Sequence, residues 1–284
     1  MIAMISRAAT STSIFRARAP RAAPVLALVR RDYLLTRSYR NTFLLELLLG
    51  IINLLVYYFI SKTFGGVNPG QLQGAPSYFD FAAVGIIMTV VIGATSTEVA
   101  TRVREEQLTG TLETLFIQPL KTAEVALGLV GLPFLFAMVR ATIYLAVAAL
   151  FMGLDVSSAS WIGAALTLIA TGGAMAALGI AGGAFVLVVR RGDLMTSMIL
   201  FAMGFVSGAV FPVAVLPAWV QPIGKIVPTR FAFDGVRDAL FQGGGWLGDV
   251  VVLALFVVIC LPVAIWLFAG ALAWSKHRGS LAQY

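Results

Sequence analysis

Side chains able to carry covalent, redox or metal chemistry are scarce in this chain, and their spacing excludes most such chemistry. His277 is the only histidine and Cys260 the only cysteine. No Ser-His-Asp relay can therefore form among the apolar segments, and no intrachain disulfide is possible. Cys260 lies in an apolar run, where a thiol behaves as a small buried hydrophobe. Adjacent aspartates are absent, as is any Gly-x-x-x-x-Gly-Lys-Ser/Thr run. Gly65 to Gly70 has the glycine spacing, but Gln71 stands where the phosphate-binding lysine belongs. No catalytic residue and no metal ligand is assigned. If ATP drives this protein, another polypeptide binds it.

The chemistry that remains is that of charge placed among apolar residues. Arg140 sits near the middle of a long apolar run. An arginine at that depth costs roughly 2.5–3.5 kcal/mol on insertion scales, so it needs a partner or water. Glu46, Asp80 and Glu98 are the acids within or beside such runs. Two readings stand. One is an ion pair between helices; the other is a cation lining the path of an anionic or phosphate-bearing substrate. Tyr57, Phe201 and Phe205 are aromatics able to line the same path, or to face lipid or a neighbouring helix.

The elements that must position these residues are membrane spans. The chain has 284 residues, 60% hydrophobic and 12% charged, with mean hydropathy +0.93. A soluble domain carries about twice that charge. Six apolar runs approach or exceed the ~20 residues that cross a bilayer: 42–60, 78–100, 123–152, 161–189, 194–211 and 246–274. The expected fold is an all-α polytopic membrane protein. The net charge of +7 does not point to nucleic acid, because most Lys and Arg flank apolar runs, where they orient the chain. With the N-terminus inside, fifteen of the twenty basic residues are cytoplasmic. Lys62, Lys225, Arg230 and Arg237 then lie outside, and both termini are cytoplasmic.

Residues 1–21 are basic and without acid. A disordered cytoplasmic tail and a targeting segment both fit that composition. Residues 22–284 read as one transmembrane domain. Pro24 opens an amphipathic piece, Val25 to Tyr39, suited to the membrane interface. Val25, Leu28 and Leu35 fall on one side and Arg30, Arg31 and Arg37 mainly on the other. Asp32 falls toward the apolar side and weakens the pattern.

Between the second and third runs lies a charged amphipathic insert, Arg102 to Lys121. Leu108, Leu112, Leu115 and Phe116 share a helical face. Glu105, Glu106 and Glu113 decorate the rest. Gly110 can break the helix that arrives from the membrane, and Pro119 stops the short helix after it. Taken alone, the pattern fits a helix resting on headgroups or one docked on a partner. The run Glu105-Glu106-Gln107-Leu108-Thr109-Gly110-Thr111-Leu112-Glu113, with Pro119-Leu120 beyond it, resembles the cytoplasmic signature of ABC-2 type exporter permeases. In that family the segment docks into a groove on the ATPase subunit.

The stretch Phe211 to Gly245 is too rich in proline to be one span and too apolar to be a free loop. Pro217 is placed to start a short helix and Pro222 to bend or end it. Thr229 is placed to cap a second helix, ended by the glycines after Gln242. Arg230 with Asp234, and Asp234 with Arg237, have pairing spacing. Two short helices dipping into the outer leaflet would fit. Phe211-Pro212, Leu216-Pro217-Ala218-Trp219, Pro228 and Asp234-Gly235-Val236-Arg237 resemble the pattern after the fifth span of the ABC-2 family. Arg31-Asp32-Tyr33 resembles its elbow.

The resemblance spans nearly everything past residue 25. It implies an elbow helix, a coupling helix between spans two and three, and re-entrant helices between spans five and six. It also implies pairing with a second copy of the chain and with two ATPase subunits. ATP and Mg would then sit on those subunits, with no cofactor in this chain and no nucleic-acid partner. It implies too a bacterial inner-membrane location among lipids, with outward export of a drug, lipid or lipid-linked glycan. Two other classes fit less well. An ion-coupled secondary transporter expects internal repeats and a mid-membrane acid site, and a membrane-embedded enzyme needs clustered catalytic groups.

The glycines at 172, 173, 179, 182 and 183 allow close helix approach in lipid, within one subunit or at a dimer seam. Gly204 and Gly208 leave the same two options open.

Overall fold

The computed structural model describes residues 23–38, 40–63, 72–110, 120–189 and 192–277. Thr111, Leu112, Glu113, Leu115, Phe116 and Pro119 lie outside the described residues, as does the basic N-terminal segment. Every regular element among the described residues is helical. The long ones are α1 (Ala23–Ser38), α2 (Arg40–Thr63), α3 (Tyr78–Leu108), α4 (Thr122–Phe151), α5 (Trp161–Val188), α6 (Gly192–Val206) and α9 (Trp246–His277). Between α6 and α9 come a 3-10 turn (Val213–Val215), α7 (Gln221–Ile226), α8 (Pro228–Arg237) and one π turn (Asp238–Gln242).

Five of these helices are long and apolar enough to cross a membrane. Helix α6 has 15 residues, about 22 Å at the α-helical rise, against about 30 Å of hydrocarbon. It stops short of the end of its apolar run. The cause is local: Gly208 adopts φ +86, and the chain turns there, so the remaining apolar residues serve the turn.

Local signals explain most boundaries. Ser77 caps α3: its hydroxyl accepts from the Asp80 N–H at 3.2 Å and donates to the Asp80 carboxylate at 2.7 Å. Ser160 caps α5 through the Gly163 N–H. Helix α3 ends at Leu108, and Gly110 follows with φ +70, the left-handed backbone that glycine supplies without strain. Two local expectations need correction. Pro222 stands in the first turn of α7 and opens it, a position that needs no N–H partner. Thr229 does not cap α8. It is buried one residue inside the helix, with its hydroxyl against Ser207 and the Met203 carbonyl.

Helices α3 and α5 form the centre. They cross so closely that a Cβ on Gly179 would come within 2.7 Å of the Thr95 carbonyl oxygen, the approach that small residues permit in lipid. Gly172 meets Phe134, Gly173 meets Val257, Gly182 meets Thr196, and Gly183 meets Val103 and Phe268. The glycine-rich run thus packs within the subunit. Gly204 on α6 faces open space. Helix α2 is the outermost: Leu54 is fully buried, while Leu44, Leu45, Leu48, Leu49, Ile52 and Val56 are exposed.

The bundle has two distinct ends. At one, α1 lies along the start of α4, with Leu28 over Gly128 and Val29 over Gly131. At the other, the segment 72–80, the turn 153–160 and the stretch 207–246 knit together. There the Ser160 N–H donates to the Ala239 carbonyl at 2.7 Å, and Gln73 Nε2 donates to Asp234 at 2.8 Å.

Candidate functional site

Helix α3 runs 31 residues, about 46 Å, so its charged last turns continue past its apolar part. Those turns are tied to α1. Arg31 Nη2 donates to Glu106 at 2.8 Å, and its Nε donates to Asp32 at 2.8 Å. Arg102 Nη1 reaches the other Asp32 oxygen at 3.2 Å. The Asp32 side chain is only 6% exposed. Its place on the apolar side of α1, which weakens the amphipathic pattern, is what lets it reach Arg102. Burial opposes the Arg31 charge, but Asp32 and then Glu106 outweigh it, and its pKa stays above the ordinary guanidinium value. The chain therefore holds the last turns of α3 rigidly where the insert begins. Glu105 and Leu108 are exposed there, and Gly110 turns the chain.

Removing the shared acid tests this joint. Asp32→Ala should cost about 1.5–3 kcal/mol, the usual range for hydrogen bonds to a charged group. The readout is a lowered unfolding midpoint in detergent, with Asp32→Glu intermediate.

Deeper in the bundle, Arg140 on α4 is 7% exposed. Its Nη1 donates to Glu46 of α2 at 2.8 Å and its Nη2 to Glu98 of α3 at 3.4 Å. Phe43 lies 5.9 Å from the guanidinium, and the Tyr144 hydroxyl donates to the Glu46 carbonyl at 3.1 Å. Of the two readings of Arg140, the geometry supplies the ion pair, joining three helices. Asp80 lies at the far end of α3 and takes no part.

A groove of about 560 Å³ runs between α2, α3 and α6. Tyr57, Phe201 and Phe205 line it, and so does Phe211 from the turn after α6. Thr89, Gly93 and Thr97 form its floor on α3, one helical turn apart. Three of the four residues proposed for a substrate path thus meet in one cleft, and Arg140 is not among its lining residues.

The residues singled out between the fifth and sixth apolar runs divide. Arg237 is fully buried. Its Nη2 donates to the carbonyls of Phe81 (3.2 Å), Gly208 (2.9 Å) and Ala209 (3.2 Å), and its Nη1 to Gln73 Oε1 (2.7 Å). Its guanidinium stacks 3.6 Å from the Phe81 ring. The sequence spacing pairs it with Asp234, but it turns inward, because the carbonyls of Gly208 and Ala209 lie beyond the end of α6 and need a donor, with that of Phe81 in the first turn of α3 beside them. Asp234 instead accepts from Arg230 at 3.0 Å and from Gln73. Pro212 is buried at the start of the 3-10 turn, Pro217 accepts the Val220 N–H at 2.8 Å, and Pro228 opens α8. Trp219 is 76% exposed. Gln73, which binds both Arg237 and Asp234, carries no sequence signal; it lies in a turn before α3 and matters only through contacts some 160 residues away.

The chain is 25% identical over 232 residues to the inner membrane transport permease YadH of Escherichia coli K12, covering 81% of this chain and 87% of that one. It is 29% identical over 200 residues to nodulation protein J of Sinorhizobium fredii, covering 68% of this chain and 74% of that one. The profile of the ABC-2 type transporter matches residues 24–241, from the start of α1 into the π turn after Arg237. By that match the chain belongs to the ABC-2 type transporter family, as the membrane subunit of a transporter.

Proposed function

We propose that this chain is the permease of an ATP-driven exporter that moves an amphiphilic substrate outward by alternating access. Members of its family pair with an ABC ATPase subunit. In this reading two copies of the chain pair, two ATPase subunits bind ATP and Mg, and both termini lie in the cytoplasm of a bacterial inner membrane. Helices α2 to α5 and α9 make five crossings and α6, with the apolar turn that follows it, makes the sixth; α1 is the elbow, the segment 111–118 carries the contact with the ATPase subunit, and α7 and α8 dip into the outer leaflet.

The observation that carries the reading is the rigid junction of α1 with the end of α3. A segment that receives a push must be joined stiffly to the helices it moves. Asp32, held by Arg31 and Arg102, and the Arg31–Glu106 pair supply that stiffness at the root of the insert. The push then reaches α3, which is the floor of the groove. Leu112, Leu115 and Phe116 are the apolar anchors for the ATPase subunit, and Glu113 meets basic residues at the rim.

The test is a double substitution. Leu112→Asp with Phe116→Asp should leave the protein in the membrane and abolish co-purification of the ATPase subunit. Undiminished co-purification would remove the reading.

A further inference from the structure

The groove is apolar and aromatic along its walls and no charged side chain lines it, yet the helices that form it carry carboxylates close by in register. Thr97 lines the groove, and Glu98 is the next residue of α3. Tyr57 lines it from α2, and Glu46 precedes Tyr57 by eleven residues, about three turns, on the same helix face. Both carboxylates touch Arg140, but they do not share its burial. The Arg140 side chain is 9% exposed, whereas those of Glu46 and Glu98 keep 46% and 39%. The surface on display is therefore acid, with the guanidinium behind it.

The neighbouring cations have acid partners of their own. Arg102, one turn along α3, is committed to Asp32, and Arg31 to Asp32 and Glu106. A half-exposed carboxylate among apolar helices is costly against lipid and stable against water or a cation. The aromatic rings add faces that attract cations. The groove volume of about 560 Å³ suits a drug-sized ligand.

We infer that the transported substrate is a cationic amphiphile, its positive charge held at Glu46 and Glu98 and its apolar body against Tyr57, Phe201 and Phe205. The inference rests on the export reading above and names the substrate class for that groove. An anionic amphiphile of equal size meets like charge at the same place and is rejected.

A matched pair of probes tests it: tetraphenylphosphonium and tetraphenylborate, which share a shape and differ in sign. Binding to the full chain with its ATPase subunit in nanodiscs is measured by equilibrium dialysis, after subtraction of empty nanodiscs. Saturable binding of tetraphenylphosphonium, at least about tenfold tighter than tetraphenylborate, is expected, a tenfold ratio being about 1.4 kcal/mol. Glu46→Gln and Glu98→Gln should each weaken the cation, and Phe201→Ala should weaken it with the acids intact. Equal or tighter binding of tetraphenylborate to the unsubstituted complex overturns the inference, whatever the variants do. So does cation binding unchanged in both glutamine variants. Retention of the ATPase subunit is scored in the same preparations, so a failure of the export reading shows separately from a failure of charge preference.

Discussion

Arg237→Met is expected to leave little correctly folded protein. Methionine fills much of the space but donates nothing. The carbonyls of Phe81, Gly208 and Ala209 then lose the Nη2 donor that joins them. The Phe81 carbonyl keeps its helical donor, but those of Gly208 and Ala209 lie past the end of α6 and are stranded, each at a cost of about 1–3 kcal/mol, against a total stability of about 5–15 kcal/mol for a folded chain. The damage has a defined direction. A Cβ built on Gly85 would lie 1.6 Å from the Ala209 oxygen, so the turn after α6 is pressed directly onto α3, and Arg237 clamps it there. Ala209, Val210 and Phe211 on that turn also line the groove. Losing the clamp frees that end of the groove before the rest unfolds. The monodisperse fraction after detergent extraction and the unfolding midpoint should both fall sharply. Arg237→Lys should be intermediate, since an ammonium supplies donors without the planar fork. An unchanged midpoint for Arg237→Met would mean that the buried guanidinium holds nothing.

Arg140→Ala should be nearly as damaging, for the opposite electrostatic reason. It leaves Glu46 and Glu98 facing each other among apolar helices with no cation between them. Breaking a buried ion pair from one side costs about 3–5 kcal/mol; the partial exposure of both acids places the expected loss at the lower end. Replacing all three charges, as Arg140→Ala with Glu46→Gln and Glu98→Gln, should recover most of the assembled protein. That recovery would mark Arg140 as the neutralising partner of two acids rather than as a binding group of its own. Arg140→Ala alone assembling as well as the unsubstituted chain would contradict the pairing.

Hydropathy made the helices legible and left the polar joints hidden. The second, third, fourth and sixth apolar runs begin within one residue of α3, α4, α5 and α9, because the boundary between apolar and polar residues is itself the physical cause of the span. The exits differ. Helix α3 continues eight residues past its apolar run to Leu108, since charge ends insertion but does not end a helix. Helix α6 stops short at Val206, since Gly208 turns the chain where hydropathy still reads apolar. Long-range pairing was the least legible. The i,i+4 spacing correctly joins Arg230 to Asp234, but helical spacing misassigns Arg237, whose acceptors lie up to 164 residues away in Gln73 and across Phe81, Gly208 and Ala209. Asp32 looked like a flaw in an amphipathic helix because Arg102, its partner, is 70 residues distant. Of the path residues, Tyr57, Phe201 and Phe205 do share one groove, although aromatic residues at membrane depth carry no mark separating groove from lipid.

The proposed export requires motion to pass from a nucleotide-driven partner, through the α1–α3 junction, into the groove. Spin labels at Val56 of α2 and Met198 of α6, both exposed, in a Cys260→Ser background, report the width of that groove by pulsed dipolar spectroscopy on the complex with its ATPase subunit. The distance distribution should shift when ATP and Mg are added with vanadate. It should stay fixed when Leu112→Asp and Phe116→Asp are also present and the ATPase subunit is supplied in excess with the same nucleotide, because that subunit no longer docks. An unsubstituted complex whose distribution is the same with and without nucleotide would contradict this transmission.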